Sequence, residues 1–206
     1  ATHASAPEMF AGWAPGATQG RFPNGSGKFL PANAKFDFEI HYTPNGTPQM
    51  DETEIGLYLL PEHPTTRYES VPVVDRTFEL QPGDADAQVS AMYCFKQAAT
   101  LHSVTPHMHL RGRWMKFEAL FSNGRRELIC SVPRYDFNWQ QTYVLAQPRT
   151  IPAGTWVLLT GGYDNSPHNP SNPDPKKAVH WGDQSFDEMF LGWYNVTSDT
   201  EPAGKI

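Results

Sequence analysis

His107 and His109 stand one residue apart in "TPHMHLRGR", residues 105–113. In a strand successive side chains point to opposite faces, so the two imidazoles share a face about 7 Å apart along the backbone while Met108 points away. Two imidazoles so placed can chelate a metal ion, and neutral imidazole suits zinc, copper, iron and nickel alike. A lone H-x-H in a chain with eight histidines also has a plainer meaning, side chains that are simply satisfied or exposed. The metal reading therefore needs a third ligand.

Downstream candidates are His168, His180, Asp183, Asp187, Glu188 and Met189, the last in "QSFDEMFLGWYNV". Taken alone, Met189 in a half-apolar run reads as a core residue, because thioether side chains fill gaps in cores. As a ligand it would add a soft donor to two imidazoles, a set that selects copper and stabilises copper(I) in particular. Upstream, His41 lies in "FEIHYTPNG". Strict alternation sends Phe36, Phe38 and Ile40 one way and Asp37, Glu39 and His41 the other, so His41 is either on the solvent side of a strand or a further ligand.

The elements that must hold these residues read as strands. Alternating, β-branched or aromatic runs bounded by Pro, Gly and Asn recur at "FDFEIHY", "EIGLYLL", "QVSAMYCF", "TLHSV", "WMKFEALF", "RELICSV", "QTYVLA" and "TWVLLTGGY", and no long segment has a helical period. "SNGR", residues 122–125, sits between two such runs and reads as a hairpin turn. The expected class is all-β, an antiparallel sandwich. Residues 164–184 form the longest stretch without strand character, a length that inside a compact domain is usually functional or disordered. Residues 1–33 are loose and rich in Gly, Pro, Ala and Ser.

A net charge of −6 without a basic run argues against nucleic-acid or anionic-membrane partners, which attract clustered Lys and Arg. No run of 18 apolar residues exists, so no membrane span is expected. "ATHASAPEMF" lacks the charged and apolar regions of a signal peptide, so any export signal is expected to have been removed or never to have been present. Cys94 and Cys130, both in strand-like runs, could form one disulfide in an exported protein or remain as buried free thiols.

In this order, "HYTPNGT", "PHMHLRGR", "PRYDFNWQ", "DNSPHNPSNPDP" and "WGDQSFDEMFLGWYNV" resemble the C-terminal catalytic domain of the copper type II, ascorbate-dependent monooxygenases, the family of peptidylglycine α-hydroxylating monooxygenase and dopamine β-monooxygenase. Bacterial members are the most similar, and the resemblance covers about residues 10–197. It implies a jelly-roll-like β-sandwich and a copper held by His107, His109 and Met189, where O2 is activated. The implied reaction is hydroxylation of a C–H bond in a small organic substrate, with ascorbate or another reductant supplying electrons. An exported, periplasmic or secreted protein is implied as well.

By the same resemblance His41 matches the later of three histidines that hold the copper of the family's first domain. No His-His pair occurs in this chain, and the only earlier histidine is His3. Residues 1–49 are therefore expected to be the last strands of a truncated N-terminal copper domain, and 50–206 the catalytic copper-binding sandwich, with the missing domain as a partner. Peptide-amidating members carry an Arg where this chain has Thr105, and Asn and Tyr where it has Leu191 and Trp193, so a peptidylglycine substrate is not implied. "PRYDFNWQ" and the Pro/Asn-rich loop are expected to line or brace the cleft. Two other readings remain beside the oxygenase: a copper-binding module for storage, delivery or electron transfer without turnover, and a structural sandwich with a fortuitous H-x-H.

Overall fold

The computed structural model describes residues 9–14, 17, 22–42 and 45–199, and His3 lies outside them. Among the described residues there is no helix. The strands are β1 (Ser26–Gly27), β2 (Thr66–Asp75), β3 (Glu79–Leu80), β4 (Ala87–Cys94), β5 (Ala99–His107), β6 (Gly112–Leu120), β7 (Arg126–Val132), β8 (Tyr143–Ile151), β9 (Trp156–Tyr163), β10 (Val179–His180) and β11 (Phe190–Asp199). One sheet has the order β1-β2-β11-β5-β8, another β4-β9-β6-β7, and β10 and β3 form a short ribbon. With only the eight long strands counted, the two orders are first-eighth-third-sixth and second-seventh-fourth-fifth. That interleaving, antiparallel throughout, is a jelly roll, two Greek keys folded into a sandwich.

Alternation builds the core. Val89 and Ala91 of β4, Met115 and Phe117 of β6, and Val157 and Leu159 of β9 face inward from one sheet and are buried, meeting Val73, Leu101, Val104, Tyr194 and Val196 of the other. A side chain the size of Phe117 contributes about 1.5–3 kcal/mol when fully buried. The turn between β6 and β7 uses the expected residues. Gly124 takes φ +81°, a conformation other L-residues rarely adopt, and Asn123 Oδ1 accepts the Arg125 N–H at 2.9 Å.

Two expected strands do not form. "FDFEIHY" and "EIGLYLL" run without secondary structure, and Phe38, Ile40, Leu57 and Leu59 are exposed. An alternating run becomes a strand only when a neighbour takes up its N–H and C=O groups, and no strand among the described residues pairs with either segment. The strand expected to carry His41 is therefore absent, and the sandwich proper begins at Thr66. Two strands that the alternating runs do not announce, β2 and β11, pair with each other over ten residues. Pro72 interrupts β2, where it is tolerated because β1 covers only Thr66 and Arg67 on the other side, leaving an open edge that needs no donor.

Both cysteines are free. Cys94 lies on β4 and Cys130 on β7, the two edges of the four-strand sheet. Three interstrand steps separate them by roughly 14 Å, too far for a disulfide within one chain.

Candidate metal centre

The two histidines lie at the end of β5, and a bulge decides which way they point. Leu101 and Val104 are both fully buried in the core, so the inward phase slips by one residue between them. The ladders record the same slip: pairing with both β8 and β11 passes over His102 between Leu101 and Ser103. Without it Leu101, Ser103, Thr105 and His107 would share the core face. With it, Val104, Pro106 and Met108 go inward, and Ser103, Thr105 and His107 face away from the core.

His107 and His109 come together as their spacing requires, ring centroids 5.2 Å apart and planes at 88°. Two rings that bind one ion through Nε2 at about 2.0–2.1 Å have centroids roughly 5 Å apart at a tetrahedral angle, so the pair is close to ligating separation. His107 Nδ1 lies 2.7 Å from Gln140 Oε1, and His109 Nδ1 lies 3.3 Å from the Asp187 carbonyl. A carbonyl oxygen only accepts, so each ring donates from Nδ1–H; the Gln184 carbonyl is a second acceptor beside the His109 ring. Burial lowers both pKa values, that of His107 to about 4. Neutral imidazole is the ligating form.

The backbone beneath the pair is pinned from several sides. Tyr135 OH donates to the Met108 carbonyl at 2.7 Å and accepts the Met108 N–H at 3.1 Å. The buried Glu188 carboxylate accepts the His109 N–H at 2.7 Å and the Arg111 N–H at 2.6 Å. Burial pushes Glu188 up to about 8, opposed by these N–H donors and by the Arg111 charge. Arg111 is itself buried, its Nε donating to Asn165 Oδ1 at 2.9 Å and Nη1 to the Phe186 carbonyl at 2.9 Å. Asn165 in turn donates to the carbonyls of Gln81 and Lys177, so the long Pro/Asn-rich loop is stitched to the turn that carries His109. A side chain at Gly112 would meet Met108 Cβ at 2.7 Å, which shows how tightly that turn closes.

The downstream candidates separate. Leu191 pairs with His107 at the end of the ladder, and Met189 lies just outside it, before β11 begins. Met189 is half-buried, and its carbonyl accepts a 2.7 Å bond from Tyr163 OH. Glu188 and Asp187 serve the site through the clamp and the carbonyl already described. His168, His180 and Asp183 are exposed, and their side chains take no part in these bonds. His41 is exposed, its Nε2 2.8 Å from Glu39 Oε1, yet near enough that a charge on it disfavours charge on both His107 and His109. Among the described residues no three His, Cys, Asp or Glu side chains form a metal-holding group. A third protein ligand beside the two imidazoles would thus be of another kind, and Met189, two residues before the partner of His107, carries a thioether.

Gln140, Tyr135, Arg111 and Asn165 were not individually legible as site residues. "PRYDFNWQ" carries two of them, but nothing in its pattern says that Tyr135 reaches Met108 or Gln140 reaches His107. Trp193 pairs across from Thr105, with its ring 6.1 Å from that of His107. Thr105 Oγ1 bonds Thr142 Oγ1 at 2.8 Å and accepts from Asn195 Nδ2 at 3.2 Å, so the position next to the pair is neutral and polar. No family model matches the sequence, and a search of curated proteins gives no significant match.

Proposed function

We propose that the chain is a copper-dependent monooxygenase domain, with His107, His109 and Met189 as the metal ligands. The observation that supports it is the pair of imidazoles 5.2 Å apart, each with a protein acceptor at Nδ1; Met189 stands two residues before Leu191, the partner of His107. Two nitrogens and a soft sulfur favour copper and its reduced state. Bound there, copper would supply dioxygen activation and hydroxylation of a substrate C–H bond with electrons from ascorbate or a similar reductant. The chain's own residues hold the rings in the ligating tautomer, fix the backbone between them and present Trp193 and Thr105 beside them. Residues 1–49, of which Ser26–Gly27 pair onto the sandwich as β1, would be the end of a neighbouring copper domain, and a periplasmic or secreted setting fits copper and O2 as reactants.

A second reading, a copper-binding module without turnover, is favoured by one observation: the exposed His41 ring bonds Glu39 rather than other imidazoles. Protein purified without added metal should carry one copper per chain, lost in His107→Ala and in His109→Ala. Zinc alone would contradict the proposal. Oxygen uptake with ascorbate separates the two readings. Slow uptake with peroxide release is expected of an oxygenase domain lacking its second copper, and no uptake of a carrier.

A further inference from the structure

Residues 135–140 touch every residue of the His107-Met108-His109 segment. Tyr135 holds both backbone groups of Met108, the Phe137 ring meets the His109 ring edge-on with centroids 5.8 Å apart, and Gln140 Oε1 sits 2.7 Å from His107 Nδ1. Gln140 is the informative member because its amide has only one satisfactory orientation. Its Nε2 donates to the Phe137 carbonyl at 2.9 Å. The flipped amide would set two oxygens against each other there and would present an N–H donor to His107. With the amide so fixed, the group facing His107 Nδ1 can only accept.

We infer that Gln140 is a positioning residue that selects the Nδ1–H tautomer of His107 and thereby keeps Nε2 available as a donor atom. Neutral imidazole carries one proton on either nitrogen, and the partner of one nitrogen decides which. Gln140 is buried, with 8% of its surface exposed, so water does not readily replace it as the acceptor. His109 is held in the same tautomer by the Asp187 backbone carbonyl, which no side-chain substitution removes. The two rings therefore differ in kind: the tautomer of one depends on a replaceable side chain and that of the other does not. Outer partners of ligating histidines orient the ring and set its basicity, and their loss typically lowers metal affinity about 10–100-fold.

The metal consequence rests on the copper proposal, whereas the tautomer itself does not. The test is nitrogen NMR of the histidine rings in the metal-free protein, followed by copper(I) titration, for the parent, Gln140→Met and Gln140→Glu. In the parent both rings should show a protonated Nδ1 and an unprotonated Nε2. Gln140→Met should turn His107 into a tautomer mixture and leave His109 unchanged, so that the His109 signal doubles as a control for folding. Gln140→Glu keeps an acceptor facing His107 and should keep Nδ1 protonated, although its second oxygen loses the bond to the Phe137 carbonyl. Copper(I) affinity should fall about 10–100-fold in Gln140→Met and fall less in Gln140→Glu. An unchanged His107 tautomer in Gln140→Met, or equal loss in both variants with His109 also disturbed, would overturn the inference. A parent that shows the expected tautomers but takes up no copper would overturn the copper proposal and leave the role of Gln140 standing.

Discussion

The candidate site holds two kinds of residue, those whose atoms would meet a metal and those that hold these atoms in place. His107 and His109, whose rings meet, are of the first kind, and period-two geometry brings them to one face. The second kind was not legible, because a carboxylate that serves two backbone N–H groups looks in sequence like any other carboxylate. Glu188 stood among the candidate ligands for its chemistry, yet its oxygens are taken by His109 and Arg111 N–H groups. Its removal would leave two buried N–H donors unpaired and take away one of the carboxylates, beside Asp174 and Asp187, that offset the buried Arg111 charge. We expect Glu188→Ala to destabilise the metal-free chain by roughly 2–6 kcal/mol, about 1–3 for each unpaired donor, in chemical denaturation, and to weaken copper binding by loosening the turn under His109. A loss below about 1 kcal/mol, the worth of an ordinary exposed pair, would show that the clamp does not form. His41 marks a different case, exposed and bonded to Glu39.

At the scale of elements, six of the eight alternating runs became strands, and the two that failed lacked partners rather than pattern. β7 formed over the same seven residues, Arg126–Val132, that the run "RELICSV" spans. β2 was hidden by Pro72, and β11 by Gly192, Asn195 and Thr197, residues that its position between two strands tolerates. The bulge at His102 was the least legible feature and the most consequential. Nothing in "TLHSVTPHMH" announces a phase slip, and strict alternation from Leu101 would send His107 into the core. Deleting His102 should remove the bulge while keeping Leu101 and Val104 inward and His107 outward, so this variant should still fold and bind copper. Deleting Thr105, beyond the bulge, should turn His107 inward and abolish copper binding. Similar behaviour of the two deletions, read by thermal unfolding and copper titration, would show that the slip does not orient the site.

At the scale of the whole molecule, the jelly roll accounts for residues 66–199, and the segment before it has a different character. Among the described residues between 28 and 65 no strand forms, while Phe29, Phe38, Met50, Tyr58 and Leu59 are exposed. Backbone without ladder bonds and side chains without packing open at little cost. Limited proteolysis should therefore cut between residues 29 and 60 first, and the remaining 66–199 sandwich should keep its copper affinity. Loss of binding on that cut would mean that His41 or its neighbours contribute to the metal. X-ray absorption of the copper(I)-loaded chain reads the three donor atoms without relying on activity. Two imidazole nitrogens and one sulfur are expected around copper(I), with the sulfur signal absent in Met189→Leu and copper(II) binding retained there. Copper without a sulfur neighbour, or a sulfur signal that survives Met189→Leu, would contradict this donor set.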